Sequence, residues 1–272
     1  MSGKGVVAVI RGTVAGYGTD RVPLLAAALA FFAMFAMAPL LIIVIEIGAA
    51  LLGGSGHHDQ VRNALLNRLQ PAIGKDGATA IAAIVQATFE KQSEGLLSKI
   101  VAWVFFVVAA TGFFGSVQGA LDVIWAAPLP GGFAQAIFLR LKSFAIIAGV
   151  ALFIVAMVVA TTALGAVGGD ALSQVASPVL MVLISTVLFA VLYKWLSPTQ
   201  IGWPDVFLGS AVTAALSVAG QYAIGFYLGR ASTTSAYGAA GSLAAILLWL
   251  YYSATIFLIG AELIKAYAKA KA

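Results

Sequence analysis

The chain has 272 residues, of which 62% are hydrophobic and 9% are charged, and its formal net charge at pH 7 is +5. Soluble domains are typically about 45–50% apolar and about 25% charged, so this chain has too little polar surface for a water-soluble globule. The composition excludes a soluble enzyme, a secreted domain and a disordered chain, and it predicts an integral membrane protein. Because there is no Cys, disulfides, thiolate metal sites and cysteine nucleophiles are also excluded.

Six stretches are long enough to form transmembrane helices, because a helix needs about 20 mostly apolar residues to cross a hydrocarbon core of about 30 Å. The predicted spans are Val22–Leu52, Leu96–Ile124, Phe144–Val167, Val179–Leu196, Val206–Leu228 and Ala239–Ile264. Continuous apolar runs of this length favour helices over the strands of a membrane barrel. The predicted fold class is all-α, a polytopic membrane protein with six transmembrane helices in a single integral membrane domain, residues 1–272.

Two segments outside the predicted spans have patterns of their own. Residues 3–18 are mildly amphipathic and are expected to lie on the inner membrane surface as a short helix. Asp20 is expected to cap the first span, and Pro39 is expected to kink it near its middle. Residues 53–95 predict an outer cap of two amphipathic helices, the first ending before Pro71. The cap residues expected to face protein or bilayer are Leu65, Leu69, Ile81 and Val85.

The basic residues predict how the chain is oriented in the membrane. With the N-terminus in the cytoplasm, nine Lys and Arg residues lie on the inner side, whereas the two short outer loops hold only Arg230. Both termini are therefore predicted to be cytoplasmic. The basic residues do not form the clustered face that indicates nucleic-acid binding, so no nucleic-acid partner is expected.

Polar side chains recur at helical spacing on three of the predicted spans. They are Gln118 and Asp122 on the second span, Ser210, Thr213, Ser217 and Gln221 on the fifth, and Tyr251, Thr255 and Glu262 on the sixth. Polar groups that face lipid are costly, so these faces are expected to turn inward. They either line a hydrated pathway between helices two, five and six or hold the helices together by hydrogen bonds. For Glu262, the alternative to a pathway role is an ion pair with Lys265 or Arg21.

The sequence contains no arrangement that predicts an enzyme. His57 and His58 are the two histidines, and they lie side by side in the Gly-rich start of the outer loop. The chain has no nucleophile elbow, zinc-protease motif or phosphate-binding loop. We expect no catalytic residue, no metal site and no cofactor.

Three stretches of the chain occur in a combination that is specific to one family. They are Ala26–Phe32 with Pro39-Leu40, Gln118–Trp125, and Leu248–Ala254 with Gly260–Leu263. Together they resemble the YihY/BrkB family of bacterial inner-membrane proteins, although that family often has Asn where Asp122 stands. The resemblance implies six spans and a bacterial inner-membrane location. It also implies the labels that members have carried, namely ribonuclease, virulence factor, and transport or lipid export, of which the residues disfavour the first.

Two functions from different classes fit these patterns. The leading hypothesis is a transport-type protein that passes or exports a small solute, ion or lipid-linked molecule through an interior polar region. The alternative is a non-transporting membrane scaffold that binds a partner through the outer 53–95 cap. The expected partners are the lipid bilayer and an unidentified solute or lipid, and a protein partner or a second copy of the chain stays open.

The predicted topology can be tested with a reporter enzyme fused after Ala272. A reporter that requires the cytoplasm is expected to be active, because the bias of basic residues places the C-terminus inside. A fusion that is active only outside the cell would contradict the prediction.

Overall fold

The structure is a computed structural model that describes residues 3–51, 54–91, 96–127, 149, 170–197, 201–230 and 239–271. The regular elements in this part of the chain are all helical, as the sequence predicts. A short 3-10 turn, Ser55–His57, precedes the third of the seven long helices. The bounds of these helices are α1 Gly3–Thr19, α2 Val22–Leu51, α3 His58–Lys91, α4 Leu96–Trp125, α5 Asp170–Leu196, α6 Trp203–Arg230 and α7 Ala239–Lys271.

Two helices in the described part of the chain are long and apolar enough to cross a bilayer. They are α6 over Trp203–Ala223 and α7 over Leu243–Lys271. A third candidate exists if Gly5–Thr19 and Val22–Met37, which meet at an angle of 65°, form one broken span. The described residues thus hold two or three candidate spans, and the count of six stays a prediction.

The remaining predicted spans are only partly represented. Met181–Leu196 is an apolar helical stretch of less than full spanning length, and so is Leu40–Ala50 in the second half of α2. The predicted third span, residues 144–167, lies outside the described residues except for Gly149. The helix α2 continues through Pro39 from Val22 to Leu51. A helix can be continuous and still bent at a proline, so the kink expected at Pro39 stays a prediction.

Helix bounds follow the hydropathy pattern at some ends and pass beyond it at others. The helix α2 begins at the predicted residue Val22, whereas the predicted starts of the second and sixth spans adjoin residues outside the described part and stay predictions. The fourth predicted span starts at Val179, but the helix α5 that contains it already includes Asp170. Hydropathy marks the part of a helix that suits lipid, and the helix itself continues for as long as its backbone hydrogen bonds continue.

Asp20 and Arg21 form the bend between α1 and α2. Arg21 has φ 51°, in the left-handed region that commonly ends a helix. Its carbonyl then accepts the N–H of Leu24 at 2.9 Å, so α2 begins directly after the bend. The expectation that Asp20 caps the first span is wrong, because its carboxylate binds Lys265 and the Thr19 hydroxyl instead.

The surface of α1 is divided between a protein-facing side and an exposed apolar side. Val9 and Thr13 are buried, whereas Val7, Ile10 and Val14 are 64%, 56% and 68% exposed. An exposed apolar stripe on a helix that bends away from its neighbour suits a position in the membrane interface. This is the position that the sequence predicts for residues 3–18.

Two clusters of buried apolar residues lie toward opposite ends of α2 and α7. The first joins the start of α2 to the ends of α4, α5 and α7 and the start of α6; it includes Val22, Leu121, Tyr193, Val206 and Ile264. The second joins the end of α2 to α3 and the first half of α7; it includes Ile45, Leu65, Ile81, Val85 and Ile246. The alternating directions of the helices bring α1 and the end of α7 to the same end of the bundle.

The cap predicted over residues 53–95 is a single helix rather than two. The expectation that a helix ends before Pro71 is wrong, because α3 runs without interruption from His58 to Lys91. Residues on both sides of the proline pack against α2 and α7, and this packing offsets the proline's cost of about 3 kcal/mol. Three residues predicted to face inward, Leu65, Ile81 and Val85, are buried, and the side chain of the fourth, Leu69, lies outside the described residues.

Shortening Ile81 tests whether α3 is an integral part of the bundle. Ile81→Ala is expected to lower the free energy of unfolding by about 2–5 kcal/mol, because the side chain is 1% exposed and a cavity would remain. Thermal unfolding in detergent micelles measures the change. The matched control on the same helix is exposed Asn63→Ala, and equal stabilities of the two variants would contradict the packing of α3.

Candidate functional site

The helices α6 and α7 approach closely because glycines replace side chains where they cross. A Cβ on Gly209 would overlap the side chain of Ile264, and a Cβ on Gly260 would overlap the side chains of Thr213 and Tyr193. Small residues allow close backbone approach between membrane helices, where the lipid provides no hydrophobic driving force for association. The close crossing fixes which polar residues of α6 face α7.

The buried part of the α6 polar face is occupied by hydrogen bonds between helices. Ser210 and Thr213 are fully buried. The Thr213 hydroxyl donates to the carbonyl of Gly209 at 2.8 Å and lies 3.2 Å from the hydroxyl of Tyr193. Tyr193, from α5, donates in turn to the carbonyl of Phe257 on α7 at 2.6 Å. The Tyr193 hydroxyl therefore connects α5 with α6 and α7, while the Ser210 hydroxyl has no hydrogen-bond partner.

The other half of the α6 polar face is partly open. Ser217 and Gln221 are half-buried one and two turns beyond Thr213. On α7, Tyr251 and Thr255 are also half-buried, and the Thr255 hydroxyl donates to the Tyr251 carbonyl at 2.7 Å. The polar groups of α6 and α7 thus lie on two helices that pack directly against each other.

The polar pair on α4 is separate from the polar face of α6. Gln118 and Asp122 are half-buried, and α4 packs against α2 and α7. Within the described ranges, α4 has no extensive contact with α6. The structure therefore does not set the α4 pair against the α6 residues Ser217 and Gln221, as the predicted pathway between three helices requires.

Glu262 is the centre of a charged cluster at the end of α7. Its side chain is 1% exposed, and its Oε2 lies 3.5 Å from Nζ of Lys265, one of the two basic residues that the sequence offers as its neighbour. Lys265 also forms a closer ion pair with Asp20, from the bend between α1 and α2. One ammonium is thus shared by two carboxyl groups.

The two carboxyl groups of this cluster also lie within hydrogen-bonding reach of each other. Asp20 lies in the bend between α1 and α2 and belongs to neither helix. Burial raises the pKa of Asp20, but hydrogen bonds from Glu262 and Lys265 and the positive charge of Lys265 lower it, and the net pKa is below the usual value. No donor reaches Oε1 of Glu262, which is buried.

The backbone of α1 covers the Glu262 carboxyl. A Cβ on Gly16 would overlap that carboxyl group, and a Cβ on Gly12 would lie 3.1 Å from the Cβ of Ala266. Gly12 and Gly16 thus form one small-residue face on α1, four residues apart, that matches Glu262 and Ala266 on α7. Because Gly12 and Gly16 have no side chains, the Glu262 carboxyl group fits between α1 and α7.

Sequence reasoning missed Asp20 and Gly16 as neighbours of Glu262. A small-xxx-small pattern is visible at Gly12 and Gly16 and could have indicated a helix-packing face on α1. No local pattern links Asp20 to Lys265, because the two residues are 245 positions apart and meet only when α1 folds back onto α7.

Comparisons with known proteins identify relatives over nearly the whole chain. Residues 13–272 match the family model described as Virulence factor BrkB. The chain is 26% identical over 259 residues to a UPF0761 membrane protein of Ralstonia nicotianae, covering 90% of this chain and 55% of that protein. It is 30% identical over 252 residues to a UPF0761 membrane protein of Alkalilimnicola ehrlichii, covering 89% of this chain and 54% of that protein.

A more distant relative shows the same extent of similarity. A UPF0761 membrane protein of Legionella pneumophila is 25% identical over 265 residues, covering 95% of this chain and 61% of that protein. The chain therefore spans about half the length of the curated relatives it matches. No solved structure matches it.

Adding one methyl group to α1 tests the contact between α1 and α7. Gly16→Ala is expected to weaken the docking of α1 and lower the thermal stability, because the new Cβ would overlap the Glu262 carboxyl. Gly18→Ala on the same helix is the matched control, since a Cβ there meets nothing within 4 Å and alanine favours a helix by about 0.5–1 kcal/mol. Unfolding in micelles and limited proteolysis of α1 are the measurements. Equal behaviour of the two variants would contradict the contact.

Proposed function

The chain belongs to the Virulence factor BrkB (YihY/UPF0761) family of bacterial multi-pass membrane proteins, and from this premise we propose that it is a transport-type protein of the inner membrane. A small solute, ion or lipid-linked molecule passes or is exported through an interior polar region between α6 and α7. The proposal assigns no catalytic chemistry to the chain.

The buried carboxyl of Glu262 is the observation that carries this proposal. It lies on α7, within the candidate span Leu243–Lys271, and is 1% exposed. Ionisable groups inside membrane helices are costly and most often belong to ion or substrate routes or proton relays. A carboxyl that serves only to hold helices together could be replaced by an uncharged polar group at lower cost.

The polar face of α6 supports the same function. From Thr213 this face continues to half-buried Ser217 and Gln221, and it is turned away from the strongly apolar side that carries Leu208 and Val212. A continuous polar line that faces protein on a lipid-compatible helix supplies hydrogen-bonding groups along the bilayer normal. The same line also serves packing at Thr213, so Ser217 and Gln221 are the residues to test.

The scaffold alternative receives less support from the cap. A scaffold that binds a partner through α3 needs an apolar surface that is free for that partner. Val61, Leu65, Ile81 and Val85 are instead used against α2 and α7. This use of the cap favours transport over the scaffold.

Cysteine labelling tests whether a water-filled route reaches α6. In a chain without native Cys, Ser217→Cys is expected to react with a membrane-impermeant thiol reagent in inside-out vesicles, because a hydrated pathway gives the reagent access. Mass spectrometry measures the labelled fraction.

Two controls on the same helix separate a pathway from its alternatives. Val212→Cys, which is 40% exposed on the apolar side, is expected to stay unlabelled because it faces lipid. Thr213→Cys is expected to stay unlabelled because it is fully buried in the helix crossing. If Ser217→Cys is as unreactive as these controls in vesicles of both orientations, α6 is packed protein and the proposed function is wrong.

A further inference from the structure

The cluster around Glu262 has one carboxyl group more than its positive charge can neutralise. Lys265 pairs with Asp20 and, at 3.5 Å, with Glu262. If both carboxyls were ionised, the cluster would hold a net negative charge beside a carboxylate that is 1% exposed. An unneutralised buried charge is among the costliest features that a protein can contain.

The contact between the two carboxyls requires a proton. Ionised carboxylates only accept hydrogen bonds, so two carboxyl groups within hydrogen-bonding reach can be bonded only if one of them is protonated. Asp20 has the closer ion pair with Lys265 and is 19% exposed, which favours its ionised form. Glu262 is the more deeply buried group and is the one expected to hold the proton.

The free oxygen of Glu262 leads to the same assignment. An ionised Glu262 would leave Oε1 as a buried anionic acceptor with no donor. A protonated carboxyl carries its own donor and can give it to Asp20. Gly16, which has no side chain, packs directly on this carboxyl group and leaves no space there even for a Cβ atom, so hydration water is excluded from that side.

The other neighbours of this part of α7 supply no further charge to Glu262. Asp20 and Lys265 are the charged groups that act on it within the described residues. On α6, Asp205 pairs with Lys271 at 3.3 Å, and Gly209 packs on Ile264. On α5, Tyr193 is engaged by Phe257 and Thr213, and Arg21 at the bend is exposed.

We propose that Glu262 is a proton-binding site that α1 covers, and that loss of the proton is coupled to the departure of α1 from α7. The bound ligand is a single proton, shared with Asp20 and balanced by Lys265. The docked state binds one proton more than the undocked state, so docking is strongest at low pH and weakens as the pH rises through the titration of the site. This inference deepens the proposed function by naming the proton as the coupled ion; only that coupling role rests on the proposed function, and the proton site itself does not.

Infrared spectroscopy of the purified chain tests the protonation directly. The carbonyl band of a protonated carboxyl is expected at pH 7 in the wild type and in Asp205→Asn, which removes a different carboxylate from the same end of the bundle. Glu262→Gln is expected to lose this band. Asp20→Asn is also expected to lose it, although Glu262 is intact, because Lys265 is then free to pair with an ionised Glu262. A wild type without the band, or a band that survives Glu262→Gln or Asp20→Asn, would overturn the proposal.

Thiol labelling of α1 tests the coupling. Val9→Cys lies on the buried side of α1, and Gly18→Cys, on the open side, corrects for the pH dependence of the reagent. The corrected labelling rate at position 9 is expected to rise with pH by up to about tenfold per unit, the limit for release of one proton. In the Glu262→Gln background, the rate is expected to be independent of pH. A pH dependence that persists with Gln at position 262 would contradict the coupling.

Neither measurement depends on solute movement. A failure at Ser217 would reject the transport proposal and leave the proton site standing, whereas a failure here would reject the proton site alone.

Discussion

The described part of the bundle depends on close contacts around α7 in which a glycine on one helix meets a side chain of the other. Two neighbours of α7 reach it where a glycine removes the side chain that would separate the helices: α1 at Gly16, and α6 at Gly209 and Gly220. Gly260 does the same from the α7 side. Within a bilayer, where burial of apolar surface gains little, such close packing is the main source of attraction between helices. The positions of α1 and α6 against α7 therefore follow from where the glycines lie in the sequence.

Close packing also determines which polar groups meet. At Gly260, α6 and α7 are near enough for Thr213 and Tyr193 to form hydrogen bonds that join three helices. At Gly16, α1 comes near enough to cover Glu262 and to bring Asp20 to Lys265. Close packing at a glycine thus produces a neutral, hydrogen-bonded crossing at Gly260 and a buried, charged cluster at Gly16. The difference between them is the carboxyl group, which carries the proposed function.

Hydropathy was sufficient to predict the helical class of the described residues and the start of α2. It failed where tertiary packing overrides local preference, as at Pro71, where buried residues on both sides keep α3 continuous. The polar residues of α6 could be predicted to face inward, because lipid exposure would be costly. Of the two charged neighbours of Glu262, only Lys265 could be predicted from the sequence. Lys265 is one turn away on the same helix, but Asp20 is brought in by a bend that no local spacing encodes.

The Tyr193 hydroxyl has a mechanical consequence. Because it bonds to both Phe257 and Thr213, it fastens α5, α6 and α7 into one stiff body, with the ring of Tyr193 stacked 4.9 Å from that of Phe257. The contact between α1 and α7 is joined differently, by close packing at Gly12 and Gly16 and by the ion pair of Lys265 with Asp20 at the end of α1. We therefore expect α5, α6 and α7 to move as one unit when α1 separates from α7.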